Sequence, residues 1–270
     1  MTQTSRRHLI VADVVAAEAL EGWRPDEAET AALHALAAGD VSMTDYLAGC
    51  RARYRDPDDV RRPALARRRP YLIRGTTVLE NNFRLCTHHA LQAAEFAVTA
   101  GRLVQAHLRD EPVGTTVTDL HRHVFADVYA WAGEPRITGI SKGGTVFAPV
   151  DEIAEALRRL HDDVDEAFTC ADGYSTTALT YRLSRIYADY NMIHPFREGN
   201  GRTGTLLLTL IARTAGRRLD LSGVTRERWI YVARAAATGL DTRGDLAPLR
   251  AVICAALVDA DVAGLHRITA

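Results

Sequence analysis

The chain has 270 residues, 47% of them hydrophobic and 25% charged, enough apolar material for one large globular domain or a domain with a small appendage. Lys and Arg total 33 against 34 Asp and Glu, so no global basic field calls for a membrane surface or for direct nucleic-acid binding. Four scattered cysteines without a C-x-x-C pair, no apolar run near 18 residues and no apolar core of a secretion signal point to free thiols, no membrane span and a cytoplasmic protein.

Three short helices are expected in the first fifty residues. Residues 11–20 are rich in Ala and Val and are followed by Gly22. Pro25, Asp26 and Glu27 give a proline and an acidic first turn to a second helix, through Ala38. Ser42 is a capping residue for a third, ahead of Met43, Tyr46 and Leu47. The character then changes: between Arg51 and Pro70 lie eight arginines, three aspartates and three prolines. Such a stretch reads as a solvated linker rather than a nucleic-acid arm. The expected division is a helical module over 1–55, a linker over 56–69 and a main domain over 70–262.

Beyond the linker, apolar residues recur at three- and four-residue spacings over 90–108, 117–129, 150–168 and 176–190. Residues 136–149 break this pattern, with β-branched residues around Gly143 and Gly144, and predict a short hairpin. Residues 203–215 carry Leu206, Leu207, Leu208, Leu210 and Ile211, with Gly216 as a C-cap. Helices over 229–237 and 248–258 complete an all-α architecture with one β-hairpin.

The most informative stretch is His194-Pro-Phe-Arg-Glu-Gly-Asn-Gly-Arg202, immediately before that apolar run. His194 can take a proton near neutral pH. Glu198 can hold Mg²⁺, which also keeps water and substrate phosphate oxygens as ligands. Gly199, Asn200 and Gly201 can turn backbone N–H groups toward an anion at a helix start, and Arg202 offers a fork of donors for phosphate. Pro195 biases His194 toward extended backbone, and Phe196 anchors the loop. His121 with His123, and His88 with His89, point to different faces and read as solvated or core-edge residues rather than metal ligands.

This string resembles the Fic family, whose signature is H-x-F-x-(D/E)-G-N-G-R-x-x-R. Residues 69–82, 121–134 and 140–149 are similar to the family's opening segment, the helix before its flap, and the flap hairpin, so the resemblance spans about 69–255. It implies a Fic-type helical bundle with a β-hairpin flap that transfers AMP from ATP to a Ser, Thr or Tyr hydroxyl of a target protein. It implies His194 as base and Glu198 on Mg²⁺ between the α- and β-phosphates. The N–H groups of Gly199, Asn200 and Gly201, with the Asn200 side chain, would receive the α-phosphate, and Arg202 the β-phosphate. The flap residues Ser141, Lys142, Gly143, Gly144 and Thr145 would dock an extended target segment, and a type II topoisomerase is the class of target the resemblance suggests. Two positions depart from the pattern. Thr205 stands where the second arginine would grip the γ-phosphate. Residues 19–25 resemble the small antitoxin that partners such toxins, with its (S/T)-x-x-x-E-G motif, so Glu21-Gly22 implies inhibition in cis by a three-helix module, although Ala17 replaces the hydroxyl residue. A weakened relative that only binds nucleotide or a partner, and one that uses another nucleotide donor, are the alternative readings.

Overall fold

In the computed structural model the described residues are 2–56, 68–237 and 244–260. They form ten α-helices and two small antiparallel sheets. Most starts follow from local capping chemistry. α1 (Gln3–Glu21) begins at Thr2, α3 (Met43–Arg53) at Ser42, α4 (His88–Leu108) at Thr87 and α5 (Val117–Phe125) at Thr116. In each of these the cap hydroxyl accepts an N–H of the first turn. α2 (Glu27–Ala38) has a full capping box between Asp26 and Glu29. α7 (Thr176–Ile193) starts at Ser175, α9 (Arg226–Ala236) at Thr225, and α10 (Ala247–Ala256) carries Pro248 in its first turn.

α5 ends at Phe125 and not at Tyr129, and α6 (Ile153–Thr169) is preceded by a 3₁₀ turn over Val150–Glu152. The predicted hairpin is β1 (Ser141–Lys142) paired with β2 (Thr145–Val146). The expectation of one hairpin alone is corrected by a second sheet. β3 (Arg217–Leu219), just past α8 (Asn200–Thr214), pairs with β4 (Leu257–Asp259). The helix expected through 258 therefore stops at Ala256. This pairing joins segments some forty residues apart, and three-residue strands leave no periodicity to read.

α8 runs through the middle of the molecule, with Leu206, Leu207, Leu208, Leu210 and Ile211 all buried. α5, α6 and α7 pack around it, and α1 covers it from another side while also touching α2, α4 and α9. The three N-terminal helices share one continuous core with the rest, Val11, Val14, Leu33 and Tyr46 included. The Tyr46 ring lies against Gly101 of α4, where a larger residue would overlap it, and its hydroxyl donates to the Ala97 carbonyl at 2.8 Å. Most of the expected linker, 57–67, falls outside the described residues. Asp56, just before it, accepts the N–H groups of Cys86 and Thr87 and so ties the end of the N-terminal segment to the start of α4.

Candidate active site

The loop between α7 and α8 is fixed by buried polar groups that reach its backbone from elsewhere in the chain. α7 terminates where His194 takes left-handed backbone, φ 47 and ψ 60, with its N–H on the Tyr190 carbonyl. This replaces the extended backbone expected before Pro195. The termination turn of the helix outweighs the local proline bias, and Arg136 holds it. The Arg136 guanidinium, 1% exposed, donates to the carbonyls of His194, Ile193, Thr138 and Ala148, and its backbone N–H donates to the Pro195 carbonyl. One arginine thus joins both ends of the hairpin to the turn that carries His194.

His121 performs the same service at the other end of the loop. Its Nδ1 accepts the Gly133 N–H at 2.8 Å, so its proton is on Nε2, which donates to the Glu198 carbonyl at 3.0 Å. The ring stacks on Phe196 and Phe125, with centroids 3.8 and 4.6 Å away. Burial pushes its pKa down to about 3, so it is neutral. The expectation of a solvated or core-edge histidine is corrected, because the whole ring is buried. The sequence signal was there: it shares the 121–134 stretch with Gly133, but nothing local shows which backbone groups it meets.

The Asn200 side chain also serves the loop, accepting the Phe196 N–H at 3.0 Å and donating to the Phe196 carbonyl at 2.8 Å. The oxygen and one N–H of its amide are used there, and Asn200 also stands on the wall of the site cavity. Gly199 sits at φ 83 against the Phe125 ring, and α8 starts from it with no side-chain cap. The first amide hydrogens of α8 consequently have no intrahelical acceptor.

These elements border a cavity of about 640 Å³. Its walls come from the end of α1, the hairpin, the end of α7, the start of α8 and one face of α9. His194 lines it, with Nδ1 donating to the Asn191 carbonyl at 3.3 Å and the ring stacked on Phe147 at 3.8 Å. That bond leaves Nε2 with the lone pair. Burial, with Lys142 and Arg136 near, lowers the His194 pKa to about 3. Glu198, Asn200 and Gly201 are also on the wall. The Glu198 carboxylate is part exposed and accepts the Gly199 N–H at 3.0 Å.

Arg202 and Thr205 do not line this cavity. The Arg202 guanidinium is buried, bonded to Glu95 and to the Thr99 hydroxyl, with the rings of Phe96 and Phe125 beside it and Glu198 3.7 Å away. Its Nη atoms are thus engaged by Glu95 and Thr99, while its buried Nε has no hydrogen-bond partner among the described residues. The Thr205 hydroxyl bonds back to the Gly201 and Arg202 carbonyls, as helical threonines do, and is buried too.

Glu21, the last residue of α1, reaches into the cavity, and its carboxylate lies so close to Gly201 that a Cβ there would overlap it. Among the described residues it forms no ion pair with Arg202, whose carboxylate partners are Glu95 and Glu198. Glu18, one turn earlier and fully buried, instead accepts the Thr99 hydroxyl that also accepts from Arg202. The hairpin forms the outer rim, turning at Gly143 and Gly144 with φ 56 and 86, as a two-residue hairpin needs, and Ser141, Lys142 and Val146 are exposed. Arg234 of α9 lies under Gly143. A proton acceptor, free helix amides and an exposed hairpin edge around one cavity suit transfer of a phosphorus-bound group to a nucleophile brought by a second macromolecule.

The Fic/DOC family model matches residues 114–212, which hold α5, the hairpin, α6, α7 and most of α8. A probable protein adenylyltransferase of Sinorhizobium fredii is 35% identical over 184 residues, covering 68% of this chain and 93% of that protein. A probable protein adenylyltransferase of Escherichia coli is 28% identical, covering 64% and 86%. The BepC effector of Bartonella tribocorum, solved with bound AMPPNP, has a similar fold, with a TM-score of 0.61 at 20% identity over 70% of this chain and 96% of that one.

Proposed function

This chain belongs to the Fic/DOC family, and on that premise we propose that it transfers the AMP unit of ATP to a side-chain hydroxyl of another protein. The observation that carries the reading is the pairing of His194 with the uncapped start of α8 across one cavity. His194 is neutral, with Nδ1 engaged by Asn191 and Nε2 free. Nε2 takes the proton of the incoming Ser, Thr or Tyr hydroxyl as its oxygen bonds the α-phosphorus. The bond from that phosphorus to the bridging oxygen breaks, and pyrophosphate leaves. The amide hydrogens of Asn200 and Gly201, aided by the positive end of α8, stabilise the charge on the α-phosphate. Glu198 suits Mg²⁺: its carboxylate is part exposed on the cavity wall, and Mg²⁺ is commonly held by one or two carboxylates plus water and phosphate oxygens. Bound there, the ion would neutralise charge on the triphosphate.

The hairpin residues Ser141, Lys142, Gly143, Gly144 and Thr145 offer the target an edge strand. Residues 1–55 act as an inhibitory module, since the Glu21 carboxylate occupies space against Gly201 that an anionic ligand would need. No described helix is long and apolar enough to cross a membrane; the chain is read as cytoplasmic, and a type II topoisomerase is the candidate target by family likeness. A second reading, nucleotide binding with slow transfer or another donor, is favoured by one observation: neither Arg202 nor Thr205 is on the cavity wall.

The test is transfer of label from ATP carrying ³²P at the α-position. The Glu21→Gly chain should label protein at least tenfold more than wild type, and adding His194→Ala should abolish it. No transfer by the Glu21→Gly chain would overturn adenylylation, and equal labelling by both chains would remove the inhibitory role.

A further inference from the structure

We propose that Arg226, in the first turn of α9, supplies the distal-phosphate contact that Thr205 cannot give, an inference that rests on the nucleotide reading above. Five cations line the cavity, Arg69, Lys142, Arg197, Arg226 and Arg234, against the two carboxylates of Glu21 and Glu198. None of the five has a carboxylate within 4.0 Å among the described residues. A cavity with that imbalance favours a polyanion, because the unpaired charges reinforce one another across low-dielectric walls. The motif itself contributes none of this excess except Arg197, since Arg202 is consumed by Glu95 and Thr99.

Position singles out Arg226. A side chain at 205 lies one turn beyond Gly201 on α8 and leans back toward the helix start, so an arginine there would reach over Gly201. That is where the Glu21 carboxylate now lies. The Arg226 side chain packs over Gly22, the very next residue, with its Nε 3.5 Å from where a Cβ on Gly22 would be. It therefore stands beside the end of α1, more than 4.0 Å from the Glu21 carboxylate, and lines the same cavity. Arg234, about two turns along α9, lies under the hairpin turn at Gly143, so the two arginines mark the two ends of the α9 wall. A triphosphate whose α-phosphate meets the start of α8 and whose distal end displaces the Glu21 carboxylate would bring its last phosphate to Arg226.

Calorimetric titration of the Glu21→Gly chain with ATP and with ADP, in the presence of Mg²⁺, tests the assignment. The parent should prefer ATP about tenfold. Arg226→Ala should lose that preference by weakening ATP about tenfold and ADP less than twofold, with Arg226→Lys between. Because Arg226 is exposed and unpaired, its melting temperature should stay with the parent's, which separates loss of contact from loss of fold. Unchanged ATP affinity in Arg226→Ala, equal weakening of ATP and ADP, or a parent without ATP preference overturns the role of Arg226 while leaving the nucleotide reading intact. A parent that binds neither nucleotide overturns both.

Discussion

His194 owes its protonation state to where it stands. A solvated imidazole would be half protonated near pH 6.5, but burial against Phe147 with Lys142 and Arg136 close by lowers its pKa to about 3. In the free chain the imidazole is therefore neutral, as the proposed base must be, throughout the mildly acid and neutral range. kcat/KM, which reports the free enzyme, should stay flat with respect to this group between about pH 5 and 7.5, whereas the triphosphate's negative charge should move the acid limb of kcat upward. A kcat/KM profile bending near pH 6.5 would mean that the imidazole is solvated. Arg136 matters at this scale too. Its guanidinium ties up otherwise unpaired carbonyls in the hairpin ends and the α7 turn, so the position of His194 and that of the hairpin are set by one residue.

At the scale of elements, the α7–loop–α8 unit is held by side chains bonded to its backbone: Asn200 closes the loop on Phe196, and His121 closes it on Glu198, while the first amides of α8 stay free. Gly199 is the point of least tolerance. Its φ of 83 disfavours any side chain, and a Cβ there would overlap the Phe125 ring. Strain in left-handed backbone and overpacking together predict that Gly199→Ala costs about 2–4 kcal/mol of stability. Urea denaturation would read this as a lower midpoint at unchanged slope. A cost below about 0.5 kcal/mol would show that the α8 start can shift, and that the amide geometry is less fixed than its contacts indicate.

The whole molecule couples α1 to the active-site helix through a buried polar chain, Glu18 to Thr99 to Arg202 to Glu95. Burial raises the Glu18 pKa from 4.5 to about 8, with Arg202 only partly offsetting it. Since the folded pKa lies above the unfolded one, the folded state holds a proton that the unfolded state releases above pH 4.5. The associated stability is full below pH 4.5 and is lost as pH rises through 8. Glu18→Gln, which keeps the shape and removes the ionisation, should raise Tm over wild type at pH 8 and make little difference at pH 4. Thermal melts at the two values check this, and a gain at pH 4 as large as at pH 8 would rule out ionisation as the cause. The opposite window belongs to His107, His121 and His194, whose folded pKa values of about 4, 3 and 3 fall below 6.5, so their contribution is lost as pH falls from 6.5.

The amino-acid sequence by itself determined the helices, because caps such as Asp26, Ser42 and Ser175 and the three- and four-residue apolar spacings act within a turn or two of the residues concerned. It also determined the motif's chemistry, since His194, Glu198 and the glycines before α8 are neighbours along the chain. What the tertiary structure decided is where side chains meet groups far along the chain. Arg202 is drawn to Glu95 and Thr99, Asn200 closes the loop, and Arg136 and His121 reach the motif from outside it. The second sheet and the approach of Arg226 to the end of α1 belong to the same class. The physical reason is range. Capping and amphipathic spacing are local, whereas a buried polar group takes whatever partner the fold brings within about 3 Å, which no nearby residue specifies.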